Sequence, residues 1–209
     1  MRVNHWSLAT RYLHLGMVLT ISTQLLISLI MVAPDHTGGT IGKLAFDLHE
    51  VVGLTALGII LSHWAWSIYR QSDGGLKHLF PWFGEARLDV INDTKALLKG
   101  TLPQGGNRGG LPGLIHGFGL LAVSAIAITG GVLFIIFPES GKPGNIAEFF
   151  ADTHSTIAAL VWTYWIGHSG LAILHHLQGN DLLKKMFRFS NTIEATTATN
   201  ENVQRSQTN

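Results

Sequence analysis

The stretch THSTIAALVWTYWIGHSGLAILHHLQGN, Thr153 to Asn180, holds no Asp, Glu, Lys or Arg over 28 residues. A helix of about 20 apolar residues crosses a bilayer, so a run of this length reads as a transmembrane helix. Four histidines interrupt it: His154, His168, His175 and His176. His154 and His168 are 14 residues apart, which is ~21 Å along a helix axis at ~1.5 Å per residue. At ~3.6 residues per turn that spacing is close to four turns, so the two share one face, with one near each membrane surface. Ionisable groups at membrane depth are costly and usually functional. Neutral imidazole is the mildest of them and a good iron ligand. One reading is two metal centres stacked across a membrane, each held partly by this helix. The other is polar residues satisfied between helices.

The composition agrees with a membrane protein. Of 209 residues, 13% are charged, against about a quarter in soluble domains, and the mean hydropathy is +0.27. Cysteine is absent. That excludes disulfides, cysteine-ligated iron–sulfur clusters and covalent c-type haem, which needs C-x-x-C-H. Any haem must be non-covalent and held by His or Met. Zinc is disfavoured too, because a closed zinc site wants four nitrogen or sulfur ligands.

Three further spans precede the quoted one. Residues 12–34 are free of charge apart from His14, one turn inside the start, and are broken by Pro34. Their length exceeds a signal-peptide core. Residues 51–69 follow His49 and carry His63, again 14 residues later. Gly53 lies one turn past His49; lacking a Cβ, it suits either a flat cofactor against the backbone or close helix packing. Residues 113–137 carry His116 near their start, and the fourth span covers about 154–176. Between spans two and three, Glu85 to Gly100 has Leu88, Ile91 and Leu98 at helical spacing, as a helix on the membrane surface or a solvated loop helix would. The expected fold is an all-α integral membrane four-helix bundle over residues 1–188. Residues 189–209 form a polar, disordered tail.

Charge sets the topology. The N-terminus has Arg2 and Arg11, and the long loop has Arg70, Lys77, Arg87, Lys95, Lys99 and Arg108. The tail adds Lys184, Lys185, Arg188 and Arg205, making twelve on one side; the other side has only Lys43 and Lys142. The positive-inside rule then puts both termini and the long loop in the cytoplasm. His49 and His154 fall at the outer level and form one natural axial pair. His14, His63, His116 and His168 fall at the inner level, four candidates for two places. Two b-type haems best explain two histidine layers across a helix bundle.

RYLHLG at Arg11–Gly16, LHEVVG at Leu48–Gly53, the H-x13-H pair His154 and His168 with the trailing His175 and His176, and DLLKKM at Asp181–Met186 form an ordered pattern. It resembles the bacterial cytochrome b561 / nickel-dependent hydrogenase cytochrome b family over about residues 5–188. The GGNRGG stretch, residues 105–110, departs from the GHNP-like turn of many hydrogenase-type members. The resemblance implies one haem on His14 and His168 and another on His49 and His154. His63 and His116 are then free to displace a ligand, bond a propionate, bind a quinone or relay protons. Arg11 and Arg70 are at the level of the inner propionates, or anchor the chain at the membrane. Thr20, Ser62, Thr163 and Ser169 are candidates to bond the ligands' free ring nitrogens.

Transmembrane electron transfer follows, between a quinone pool and a periplasmic c-type cytochrome or hydrogenase subunit. No nucleic acid is implied, and membrane lipid surrounds the bundle. Two other functions are carried: a stand-alone superoxide:ubiquinone oxidoreductase, and a haem-free histidine proton relay. The outer segments set Lys43 and Lys142 against Asp35, Asp47, Glu50, Glu139, Glu148 and Asp152. That acidic face suits a basic protein better than the superoxide anion.

Overall fold

The computed structural model describes residues 6–33, 39–69, 75–82, 84–101, 109–138 and 142–188. Among these residues all regular structure is helical: α1 Leu8–Ile27, α2 Thr40–Tyr69, α3 Gly75–Leu79, α4 Glu85–Leu98, α5 Gly110–Ile136, α6 Asn145–Leu177 and α7 Leu182–Phe187. The expected Arg70 site and the tail from residue 189 lie outside the described residues.

Side-chain bonds between helices fix the topology. Trp66 Nε1 on α2 donates to Thr10 Oγ1 on α1 at 3.0 Å, and Gln24 Nε2 on α1 donates to the His49 carbonyl on α2 at 2.6 Å. Early α1 therefore meets late α2, and the pair is antiparallel. Trp64 Nε1 donates to Ser124 Oγ of α5 at 2.9 Å, and Leu57 faces Gly131, so α2 and α5 are antiparallel as well. Thr129 of α5 meets His154 of α6, and Gly119 meets Tyr164. Trp165 Nε1 of α6 closes the ring by donating to Ser22 Oγ of α1 at 3.0 Å. The four long helices form an up-down-up-down bundle.

Helix ends differ from those read off hydropathy. α1 begins one turn early, where Ser7 Oγ accepts from the Thr10 backbone N–H at 3.3 Å as an N-cap. It ends at Ile27 rather than at Pro34, with Ser28 Oγ donating to the Leu25 carbonyl at 2.7 Å and a turn over 28–30. α2 takes in Lys43, Asp47 and Glu50, and α6 takes in Glu148 and Asp152. Hydropathy marks the apolar part of a helix, whereas backbone bonding continues into the polar margin, where charged side chains reach water.

By length and composition α2, α5 and α6 are fit to cross a membrane. With 20 residues, α1 reaches ~30 Å, but Arg11, His14, Thr20, Ser22, Thr23 and Gln24 hold it below the apolarity of those three. The core joins Leu25, Ile60, Leu120, Val123 and Val161, with Met17, Ile21, Trp162 and Trp165 packed around them. Ile60 and Val161, each 1% exposed, lie between the histidines of their own helices.

Outside the bundle, α4 is pinned to the start of α5. Asp93 is buried, and its Oδ2 accepts from the Leu111 N–H at 3.0 Å, beside Gly110 in the left-handed region (φ +72°). Leu88, Ile91 and Leu98 of α4 are exposed. Replacing Asp93 with Ala removes the acceptor for a first-turn N–H, a loss of about 1 kcal/mol. Thermal unfolding in detergent and limited proteolysis between α4 and α5 should both report a weaker junction; an unchanged cleavage rate would count against the pin.

Candidate functional site: two facing imidazole pairs

At one level His49 of α2 faces His154 of α6, ring centroids 6.3 Å apart and planes at 80°. At the other, His14 of α1 faces His168 of α6, again 6.3 Å apart, at 61°. α6 thus contributes one imidazole to each pair, and its opposite numbers come from two different helices.

The His49 level is held by polar contacts from neighbouring helices. The Gln24 amide reaches the His49 carbonyl across Gly53, where an added Cβ would come within 2.6 Å of Gln24 Nε2. Gly53 therefore makes room for Gln24, on the same face as His49. Gly130 likewise lies under His154, whose Cε1 would be 3.0 Å from a Cβ there. Thr129 Oγ1 is 2.9 Å from His154 Nδ1. The same hydroxyl lies 3.0 Å from the Ala125 carbonyl and 3.0 Å from that of Ile126. A hydroxyl has one proton. With that proton directed to its own helix, Thr129 accepts from His154 Nδ1–H, and His154 Nε2 keeps its lone pair.

The His14 level is more crowded. His116 of α5 stands 5.2 Å from His168, and Tyr164 stacks on His168 at 5.3 Å with planes 14° apart. Phe187 of α7 lies 5.9 Å from His14. His14 and His168 line a cavity of about 340 Å³, together with His63, His78 and His116, a volume within the range of small-molecule and cofactor pockets. His63 Nδ1 is 3.4 Å from Ser67 Oγ. Arg11 donates from Nη1 to the Arg188 carbonyl at 2.6 Å, while its Nε is buried without a partner. His175 bonds Asn180 at 3.3 Å, and His176 is exposed.

Of the hydroxyls singled out from sequence, Thr20, Ser62 and Thr163 donate to the carbonyls of Gly16, Gly58 and Ala159 on their own helices. Thr129 was the one to find. Its signal would have been the α5–α6 register, which no single sequence carries. The Nδ1 atoms of His14 and His49 are buried and unpartnered, as is Gln24 Oε1.

Imidazoles facing each other across the interior of a helical bundle define a class of protein that carries a cofactor between its helices. The chain belongs to the prokaryotic cytochrome b561 family, whose model matches residues 5–189. Comparison with curated proteins and with solved structures returned no match. The family is one of membrane electron carriers that bind haem b.

The facing residues fit that group. A ring nitrogen binds a metal at about 2 Å, and the ring centre lies ~1.1 Å behind it, so two axial imidazoles on one iron have centres ~6.3 Å apart. Both pairs stand at that separation. The His116–His168 separation of 5.2 Å is too short. Among the described residues no cluster of three or more His, Cys, Asp or Glu could hold a bare ion. Two facing imidazoles suit an iron already held in its plane by a macrocycle.

Two tests follow from this geometry. A Cβ at Gly119 would collide with the Tyr164 ring. Gly119→Ala should therefore lower thermal stability by about 1–3 kcal/mol, and Tyr164→Leu in the same chain should restore part of the loss; additive losses would contradict the contact. His78 of α3 is held below its ordinary 6.5 by burial. The folded protein thus refuses a proton that the unfolded chain accepts, so its contribution is intact above 6.5 and is lost as pH falls through the lowered value. Denaturation from pH 7.5 to 5 should show this loss, and His78→Gln should make the dependence shallower by the share of one histidine.

Proposed function

We propose that this chain is a dihaem cytochrome b of the bacterial inner membrane. It has four spanning helices, α1 included, with both termini in the cytoplasm. His49 and His154 hold one haem near the outer surface, and His14 and His168 hold the other near the inner surface. The observation that carries this reading is the equal 6.3 Å spacing of the two pairs. Haem b supplies a one-electron couple. The protein supplies the rest. Two imidazoles per iron leave no position for oxygen or substrate. Ile60 and Val161 place buried aliphatic side chains between the levels. Arg11, with its unpartnered Nε, is placed to pair a propionate at the His14 level, where Arg70 is its sequence-level companion.

Electrons pass between a quinone and a periplasmic redox protein, a c-type cytochrome or a hydrogenase subunit. His63 and His116, which share the cavity with the His14 pair, are available to bond a quinone carbonyl. The described outer residues Asp47, Glu50, Glu148 and Asp152 outnumber Lys43 and Lys142, which favours a basic protein over superoxide as partner.

The deciding measurement is the reduced-minus-oxidised visible spectrum of the purified protein, with a pyridine haemochrome assay of haem per chain. Two low-spin b haems are expected, with one lost in His49→Ala and the other in His14→Ala. A haem-free spectrum from cells supplied with haem would end this reading.

A further inference from the structure

The surroundings of the Nδ1 atoms differ among the paired histidines. Those of His14 and His49 have no partner. That of His154 meets Thr129 Oγ1 at 2.9 Å. Thr129 is itself buried, and its hydroxyl lies 3.0 Å from each of two carbonyls of its own helix. With the hydroxyl proton given to one of those carbonyls, the threonine offers His154 an acceptor. Gly130, the next residue, leaves the space into which the His154 ring fits.

We propose that Thr129 is a positioning residue for His154: it fixes the Nδ1–H tautomer and makes the haem at the His49–His154 level harder to reduce than it would otherwise be. This rests on the ligand assignment proposed above. The physical basis is general. A ring N–H that donates a hydrogen bond enriches the electron density at the opposite nitrogen. A more basic axial imidazole stabilises the ferric over the ferrous state, so the midpoint potential falls. A tautomer fixed in advance also spares the ring a reorientation when it binds metal. Of the four paired rings, the other imidazole on that iron, His49, is fixed through its backbone carbonyl by Gln24 and not through its ring. The Ile126 carbonyl also bonds His154, so Thr129 is the side-chain lever on the ring electronics at that level, and the one a substitution can remove.

The test uses the haem-loaded protein in detergent. Thr129→Val keeps the shape and removes the oxygen. The expected result is an upward shift in one of two midpoint potentials in a redox titration. The other potential should stay unmoved, and the low-temperature EPR signal of the same haem should change. Thr129→Ser, which restores the hydroxyl, should return both to the values of the unaltered protein. His154→Ala, run beside them, separates the two ideas. Loss of one haem in His154→Ala with no shift in Thr129→Val would overturn the role of Thr129 and leave the ligand assignment standing. Retention of both haems in His154→Ala would overturn the assignment itself. If Thr129→Val fails to hold one haem, Thr129→Ser decides: recovery of haem and potential supports the hydrogen bond, and a Ser variant as defective as Val reduces Thr129 to packing.

Discussion

Two imidazoles share one metal only when the helices carrying them are held apart by a fixed amount. Closer, the rings collide; farther, neither bond forms. The two facing pairs stand at one such separation, 6.3 Å between ring centroids, with a single helix common to both. α6 stands against α5, while its two histidines reach across the interior to α1 at one level and to α2 at the other. Glycines draw neighbouring helices together at single points: Gly16 under Ile59, Gly119 under Tyr164, Gly131 under Leu57. In a bilayer, small residues at such seams do what hydrophobic burial does in water.

Indoles set the remaining spacing. Trp64, Trp66 and Trp165 each carry a long rigid ring to a hydroxyl on a neighbouring helix, Ser124, Thr10 and Ser22. Each link is a bond whose length is fixed by the ring, so it keeps helices apart as firmly as together. Tyr164 acts similarly on His168 by stacking, and Phe187 on His14.

Much of this was legible in the chain. The absence of charge from Thr153 to Asn180 and the 14-residue interval between His154 and His168 sufficed to place two histidine levels on α6, because helix periodicity is a local property. The early starts of α2 and α6 were not legible, since Lys43, Asp47 and Glu148 look like loop residues to any hydropathy criterion yet belong to continuous helix. Thr20, Ser62 and Thr163 seemed as suitable for a histidine as Thr129 does. Which hydroxyl meets a ring depends on the rotation and register of one helix against another, and those depend on every contact along both. His116 shows the same limit: its depth in the sequence matches that of His14, and its closer approach to His168, 5.2 Å against 6.3 Å, is set by packing that the sequence does not display.

The back-bonded hydroxyls have a consequence for charge movement. Ser124 gives its proton to the Leu120 carbonyl and receives Trp64; Thr129 does the same with its own helix and receives His154. A hydrogen-bonded chain passes protons only if each member can both take one and release one in turn. These two members give theirs to the helix backbone, so neither is set up to hand a proton on. Under the proposed dihaem reading, an electron travelling from one level to the other would not draw a proton through these two hydroxyls. Its transit would be electrogenic, working with or against the membrane voltage by about 2.3 kcal/mol per 100 mV for a full crossing.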